Sequence, residues 1–126
     1  MTIDDFKNAD WKYLFLNFEG RINRKPYWMG VIALFGISLA ITIVSSILGA
    51  IFAPLAFLGT IASLATIYPA AALAAKRWHD RGKSGWWTLV VIIPLIGALY
   101  MLWECGIQEG VAETNSFGSN PLMAAA

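Results

Sequence analysis

The stretch Tyr27 to Phe52 reads YWMGVIALFGISLAITIVSSILGAIF and contains no Asp, Glu, Lys, Arg or His. A bilayer core about 30 Å thick is crossed by roughly 20 apolar helical residues, and only helices or closed barrels satisfy the backbone there. Leu55 to Ala75 and Trp86 to Trp103 lack the same five residue types, the last run being only just long enough. All three runs are continuous, whereas a barrel strand alternates apolar and polar residues over about 10 positions. The expectation is an all-α polytopic membrane protein with three transmembrane helices, at residues 27–52, 55–75 and 86–103. Composition agrees, because 58% hydrophobic and 13% charged residues leave too little polar surface for a soluble domain of 126 residues.

Outward from these runs, the charges are segregated. Lys7, Lys12, Arg21, Arg24 and Lys25 precede the first run, and Lys76, Arg77, Arg81 and Lys83 fill the loop between the second and third. The connection at Ala53 and Pro54 is uncharged, and the tail after Trp103 carries Glu104, Glu109 and Glu113 without a base. Lys and Arg near span ends favour the cytoplasmic side. This predicts a cytoplasmic arm (1–26), a cytoplasmic basic loop (76–85) and an external tail (104–126). Asp4, Asp5 and Asp10 are wrong for the basic start of a secretory signal, so the first span is expected to be retained. A single cysteine, Cys105, gives neither an internal disulfide nor a cysteine-based metal site.

In the arm, Trp11, Leu14, Phe15 and Phe18 recur at i, i+3, i+4 and i+7, the apolar face of a helix. Such a helix lies in the headgroup layer or packs on the protein's own spans. Gly20 permits a bend, Pro26 suits the first turn of a helix, and Tyr27 and Trp28 suit an interfacial depth. Ser38, Thr42, Ser45 and Gly49 on the first span and Ala62, Thr66, Ala70 and Ala74 on the second form small-residue stripes fit for close helix packing. Pro69 is expected to bend the second helix, and Pro94 with Gly97 the third.

Any chemistry has to reside in the loop from Lys76 to Trp87. Gly82-Lys83-Ser84 lacks the earlier glycine of a phosphate-binding loop, since Arg77 stands there, and no strand precedes it. His79-Asp80 has no second ligand cluster to make a metal site or an acid/base centre. The economical reading is a basic-aromatic face of Arg21, Arg24, Lys25, Arg77, Trp78, His79, Asp80, Arg81, Lys83, Trp86 and Trp87 that binds anionic lipid headgroups or a partner protein. Asp80 and Glu19 would pair with neighbouring arginines and fix the loops. No catalytic residue, metal or cofactor is assigned. The expected partners are membrane lipids, a second copy or another membrane protein, and not nucleic acid. The alternative is a small oligomeric transporter or channel subunit lined by the Ser38/Thr42/Ser45 stripe, which the lack of ionisable residues inside the spans disfavours.

The same residues carry a resemblance. Trp11-Lys12-Tyr13-Leu14, Phe18 to Trp28, Arg77 to Trp87, Pro94-Leu95-Ile96-Gly97 and Asn115 to Pro121 resemble, in order, the YhaH/YhaI-like family of small bacterial inner-membrane proteins. The chain departs from the family pattern at Gly110 to Ser116, which lacks a base before Phe117-Gly118. The resemblance implies a bacterial inner membrane and a helical topology, and no activity.

Overall fold

The computed structural model describes residues 2–124, so Met1 and residues 125–126, the ends of the expected arm and tail, lie outside it. Among the described residues the chain is all-helical, apart from one isolated bridge between Asn115 and Gly118. The arm forms α1 (Ile3–Asn8) and α2 (Trp11–Leu16). Thr2 and Asp5 form a reciprocal capping box on α1. Asp10 caps α2 by accepting from the Tyr13 amide at 3.1 Å. Of the apolar face expected on the arm, Leu14 is buried, and Trp11 and Phe15 pack against the core. Phe18 falls beyond α2 and meets Tyr68 edge-on.

Helix α3 (Arg24–Ile51) starts three residues before the expected span. Pro26 is harmless in its first turn, where the amide would lack an intrahelical acceptor in any case. The second long helix, Ala53–Asp80, comprises a 3-10 turn (Ala53–Leu55), α4 (Ala56–Ala65) and α5 (Ile67–Asp80). It is interrupted at Thr66, because Pro69 has no N–H to offer the Ala65 carbonyl. The most apolar windows of the two long helices have mean hydropathies of 2.5 and 1.6, yet only 0% and 6% of their residues are buried. A soluble core helix of that composition would be covered. These helices turn their apolar surface outward, as lipid-facing helices do.

The hairpin closes where small residues meet. A Cβ added at Gly49 would lie 3.0 Å from the Ala56 Cβ, and one at Gly59 would collide with Ser45. Ser45 and Gly49 of the expected stripe thus face α4, whereas Ser38 and Thr42 are exposed. The hydroxyls of Thr42, Ser45 and Ser46 donate to the carbonyls of Ser38, Ile41 and Thr42, one helical turn back.

The third apolar run is not the single helix expected over 86–103. It forms a 3-10 helix (Gly85–Ile92), a turn at Ile93–Leu95, and α6 (Ile96–Met101) continued by a π-helical turn (Leu102–Ile107). The segment doubles back, bringing the Trp87 and Tyr100 rings to 6.3 Å and the Glu104 carboxylate to 3.3 Å from the Lys83 ammonium. Neither arm is long enough to cross a bilayer core. Eight 3-10 residues rise about 16 Å and twelve helical ones about 18 Å, against about 30 Å. The β-branched run Val90-Val91-Ile92-Ile93 disfavours a regular α-helix, and Pro94 supplies no donor.

The reversal turns on Leu95, whose φ of 62° and ψ of −58° define a γ-turn of the rarer hand. It is closed by the Ile96 amide donating to the Pro94 carbonyl at 2.6 Å. Gly97 follows because a Cβ there would run into the Val90 carbonyl. Gly97→Ala should therefore open the reversal and cost about 1–3 kcal/mol by overpacking, read as a lower thermal unfolding midpoint in detergent. Gly36→Ala, with nothing within 4 Å of the added atom, should leave the midpoint unchanged or raise it.

Candidate functional site at the basic face

Helix α5 ends in Lys76-Arg77-Trp78-His79-Asp80, and this end rather than the hairpin interior holds the core. Lys76, Arg77 and Trp78 are each 0% exposed and Asp80 1%. Asp80 binds two arginines at once. One carboxylate oxygen accepts from Arg21 Nε at 3.1 Å and lies 3.0 Å from Arg21 Nη2, and the other accepts from Arg77 Nη1. Two buried guanidinium groups against one carboxylate leave donors to satisfy, and backbone carbonyls of the tail take them.

Arg21 donates to the carbonyls of Glu113 (2.9 Å), Gly118 (3.0 Å) and Val111 (2.6 Å). Arg77 donates to Cys105 (2.6 Å) and Gln108. Trp28 Nε1 and Arg24 Nη1 reach the Gly106 and Ile107 carbonyls at 2.8 and 3.0 Å, and Arg81 Nη1 the Glu109 carbonyl at 2.6 Å. The carbonyls from Cys105 to Glu109 thus all receive side-chain donors. These groups have no intrahelical partner because the helix ends there, and cations suit the negative end of its dipole. Lys76 does the same for α2, donating to Leu14 (2.9 Å) and Asn17.

The tail, expected on the far side of the membrane, instead folds onto the basic loop. The Val111 amide donates to the Asp80 carbonyl at 2.7 Å, Asn115 Nδ2 donates to the His79 carbonyl at 2.9 Å, and Phe117 stacks on the His79 ring at 4.0 Å. Its physical cause is the doubled-back third segment, which returns the chain to the side from which it left. Gly110 is needed at the join, since a Cβ there would overlap the Asp80 carboxylate.

The eleven residues assigned to the basic-aromatic face therefore separate. Arg21, Arg77, Trp78 and Asp80 are buried, and the two arginines and the aspartate pair with one another inside the fold. Arg81 and Lys83 are half-buried and clamp Glu104, at 2.8 and 3.3 Å. Arg24, Lys25, Trp86 and Trp87 remain exposed, with Lys25 paired to Asp5 at 3.2 Å. The expected pairing of Asp80 with neighbouring arginines is present.

His79 is half-buried, and its Nδ1 lies 2.8 Å from the Gly20 carbonyl. A carbonyl only accepts, so Nδ1 carries the proton, and in the neutral ring, which burial favours, Nε2 keeps its lone pair. His79 and Asp80 thus turn to different partners and form no acid/base couple. Among the described residues, no group of three or more His, Cys, Asp or Glu side chains converges as metal ligands. Sequence reasoning missed Trp28, Glu104, Gly110 and Phe117 as parts of this face. Glu104, an acid closing an apolar run opposite surplus bases, was the available signal.

This assembly joins the arm, the loop and the tail, the same three segments that carry the family motifs. The family described as "Protein of unknown function (DUF805)" matches residues 15–119. The chain belongs to this family. Among DUF805 relatives, it is 36% identical over 108 residues to the inner membrane protein YhaI of Escherichia coli K12, covering 85% of this chain and 87% of that protein. It is 32% identical over 111 residues to the inner membrane protein YhaH of the same strain, covering 86% and 90%. No solved structure matches the chain. The resemblance read from the motifs holds, and the two outward-facing apolar helices accord with relatives that are inner membrane proteins.

Two measurements test the clamp. Asp80→Asn strands two buried cations and should cost about 3–5 kcal/mol, seen as loss of the folded, monodisperse protein in detergent. Burial works against ionisation of Glu104, but the hydrogen bonds from Arg81 and Lys83 outweigh it and hold its carboxyl below the ordinary 4.5. A folded-state value lower than the unfolded one adds stability above about pH 4.5, and that stability is lost as pH falls through the lower value. Melting scans over this acid range should show the loss in the wild type and a flatter profile in Glu104→Gln.

Proposed function

We propose that this DUF805 chain is a non-enzymatic integral inner-membrane protein with both ends at the cytoplasmic face, and that its folded cap engages phospholipid headgroups. The observation that carries the reading is the Arg21–Asp80–Arg77 clamp, which ties arm, basic loop and tail together on one side. The excess of bases in the arm and loop assigns that side to the cytoplasm. Two helices then cross the bilayer, and residues 85–107 enter and leave by the same leaflet. Irregular backbone in such a segment is tolerated where protein covers it or its polar groups are satisfied internally.

Lys7, Lys12, Arg24 and Lys25 stay exposed, as do Trp86 and Trp87. A base near an anionic leaflet contributes about 1 kcal/mol before screening, and tryptophan suits headgroup depth. Arg21 and Arg77 are structural in this reading. Catalysis is disfavoured because both Asp80 oxygens and His79 Nδ1 are already committed. The transport alternative gains nothing from the hydroxyls of Thr42, Ser45 and Ser46, which bond their own helix.

A green fluorescent protein fused to the C-terminus should fluoresce in cells, and a fused alkaline phosphatase should be inactive. An active phosphatase would refute the topology. Arg24→Gln with Lys25→Gln should lower retention of phosphatidylglycerol in native mass spectrometry by at least about fivefold at low ionic strength, and by less as salt is raised. Unchanged retention would refute headgroup binding by the cap.

A further inference from the structure

One cavity is polar at one end only. A groove of about 390 Å³ lies between α5 and the first arm of the doubled-back segment, floored by Ala71 and Ala75 and walled by Phe18, Leu89 and Trp86. His79, Ser84 and Thr88 complete its lining. His79 and Ser84 lie at the cap end. Ala71, eight residues earlier on the helix, is about 12 Å deeper at 1.5 Å per residue. The groove therefore runs along α5, from a polar cap end toward apolar residues.

Three polar side chains line this groove with hydrogen-bonding capacity to spare among the described residues. His79 Nε2 has a free lone pair, because Nδ1 is the protonated nitrogen facing Gly20. It borders the groove at Gly85, where an added Cβ would lie 3.5 Å from it. The Ser84 oxygen accepts from the Trp86 amide at 3.3 Å, which leaves its hydroxyl proton to donate. Thr88 Oγ1 is buried without a partner. With His79 Nε2 and the Ser84 hydroxyl at its cap end and apolar side chains along the rest, the groove suits a ligand with both a polar and an apolar part. Trp86, 79% exposed at the mouth, adds an indole face and an N–H.

The geometry points to a resident phospholipid in this groove, with one acyl chain between α5 and Leu89 and a hydrogen-bond-donating headgroup at His79 Nε2. Ser84 and Trp86 donate to its phosphate or ester oxygens. An ethanolamine ammonium or a glycerol hydroxyl supplies the donor that Nε2 lacks, whereas a choline headgroup has no N–H or O–H. This rests on the membrane-embedded reading above but not on the exposed bases, and it names the lipid class and the seat.

The full-length protein is reconstituted in bilayers of equal parts phosphatidylethanolamine, phosphatidylglycerol and phosphatidylcholine, extracted gently and examined by native mass spectrometry. One retained lipid is expected, with ethanolamine or glycerol headgroups favoured over choline by about fivefold, the ratio given by one hydrogen bond of ordinary net strength. That retention should not depend on salt. Ala71→Phe, which fills the deep end, should reduce it to the background of bulk lipid. Equal retention of the choline lipid by the wild type overturns the inference without need of any variant, and so does undiminished retention by a folded Ala71→Phe protein. Retention confined to phosphatidylglycerol, salt-sensitive and lost with Arg24 and Lys25, overturns the groove while leaving the cap reading intact. No retained lipid at all overturns both.

Discussion

A buried carboxylate held between two guanidinium groups governs the rest of this molecule. Removing three charges from solvent is unfavourable unless every remaining donor finds an acceptor. Asp80 neutralises part of the charge on Arg21 and Arg77, and the other nitrogens of those side chains are satisfied by five carbonyls of residues 105–118. The tail is thus not an appendage but the acceptor set that makes the buried ions tolerable. Breaking any side of the arrangement leaves a charge or a row of carbonyls without a partner.

The energetic organisation is the reverse of a soluble helical domain. Burial is concentrated in the last turns of α5 and in the ends of the segments that meet it, while the long apolar faces remain uncovered. Trp78 sits at the centre, tilted against Trp87 and stacked on Tyr100, which fixes the doubled-back segment to α5 through aromatic contact. Basic residues at the end of α5 close the C-terminal carbonyls of two other helices, Lys76 for α2 and Arg77 for α6. The basic residues that flank the apolar runs are therefore also the material from which the cap is built.

Much of this could be read from residue order, and the rest could not, for definable reasons. The first two long helices follow from apolar length alone, and the interruption near Pro69 from a missing amide. Asp80 among arginines announced an ion pair. The third run misled because hydropathy measures apolar length and not direction. Val90 to Ile93 with Pro94 is as greasy as a span, and only the γ-turn at Leu95 and the contact of Gly97 with Val90 show that the chain turns round. The contact of the tail with the basic loop, and with it the burial of Arg21 and Arg77, depended on that one reversal. Which bases lie inside the fold was hidden for the same reason, since carbonyls from a distant part of the chain are invisible to local pattern.

The order in which the parts of the clamp occur along the chain matters during synthesis. Arg21 leaves the ribosome first, Asp80 only after both long helices have been made, and the carbonyls from Val111 to Gly118 last. Until those final residues emerge, Arg21 lacks three of its acceptors and must stay hydrated, so the cap of a nascent chain stays open. Closure then waits for residues 111–118 to be made, and a product cut short before Val111 would display an unmated guanidinium and bare helix ends to proteases.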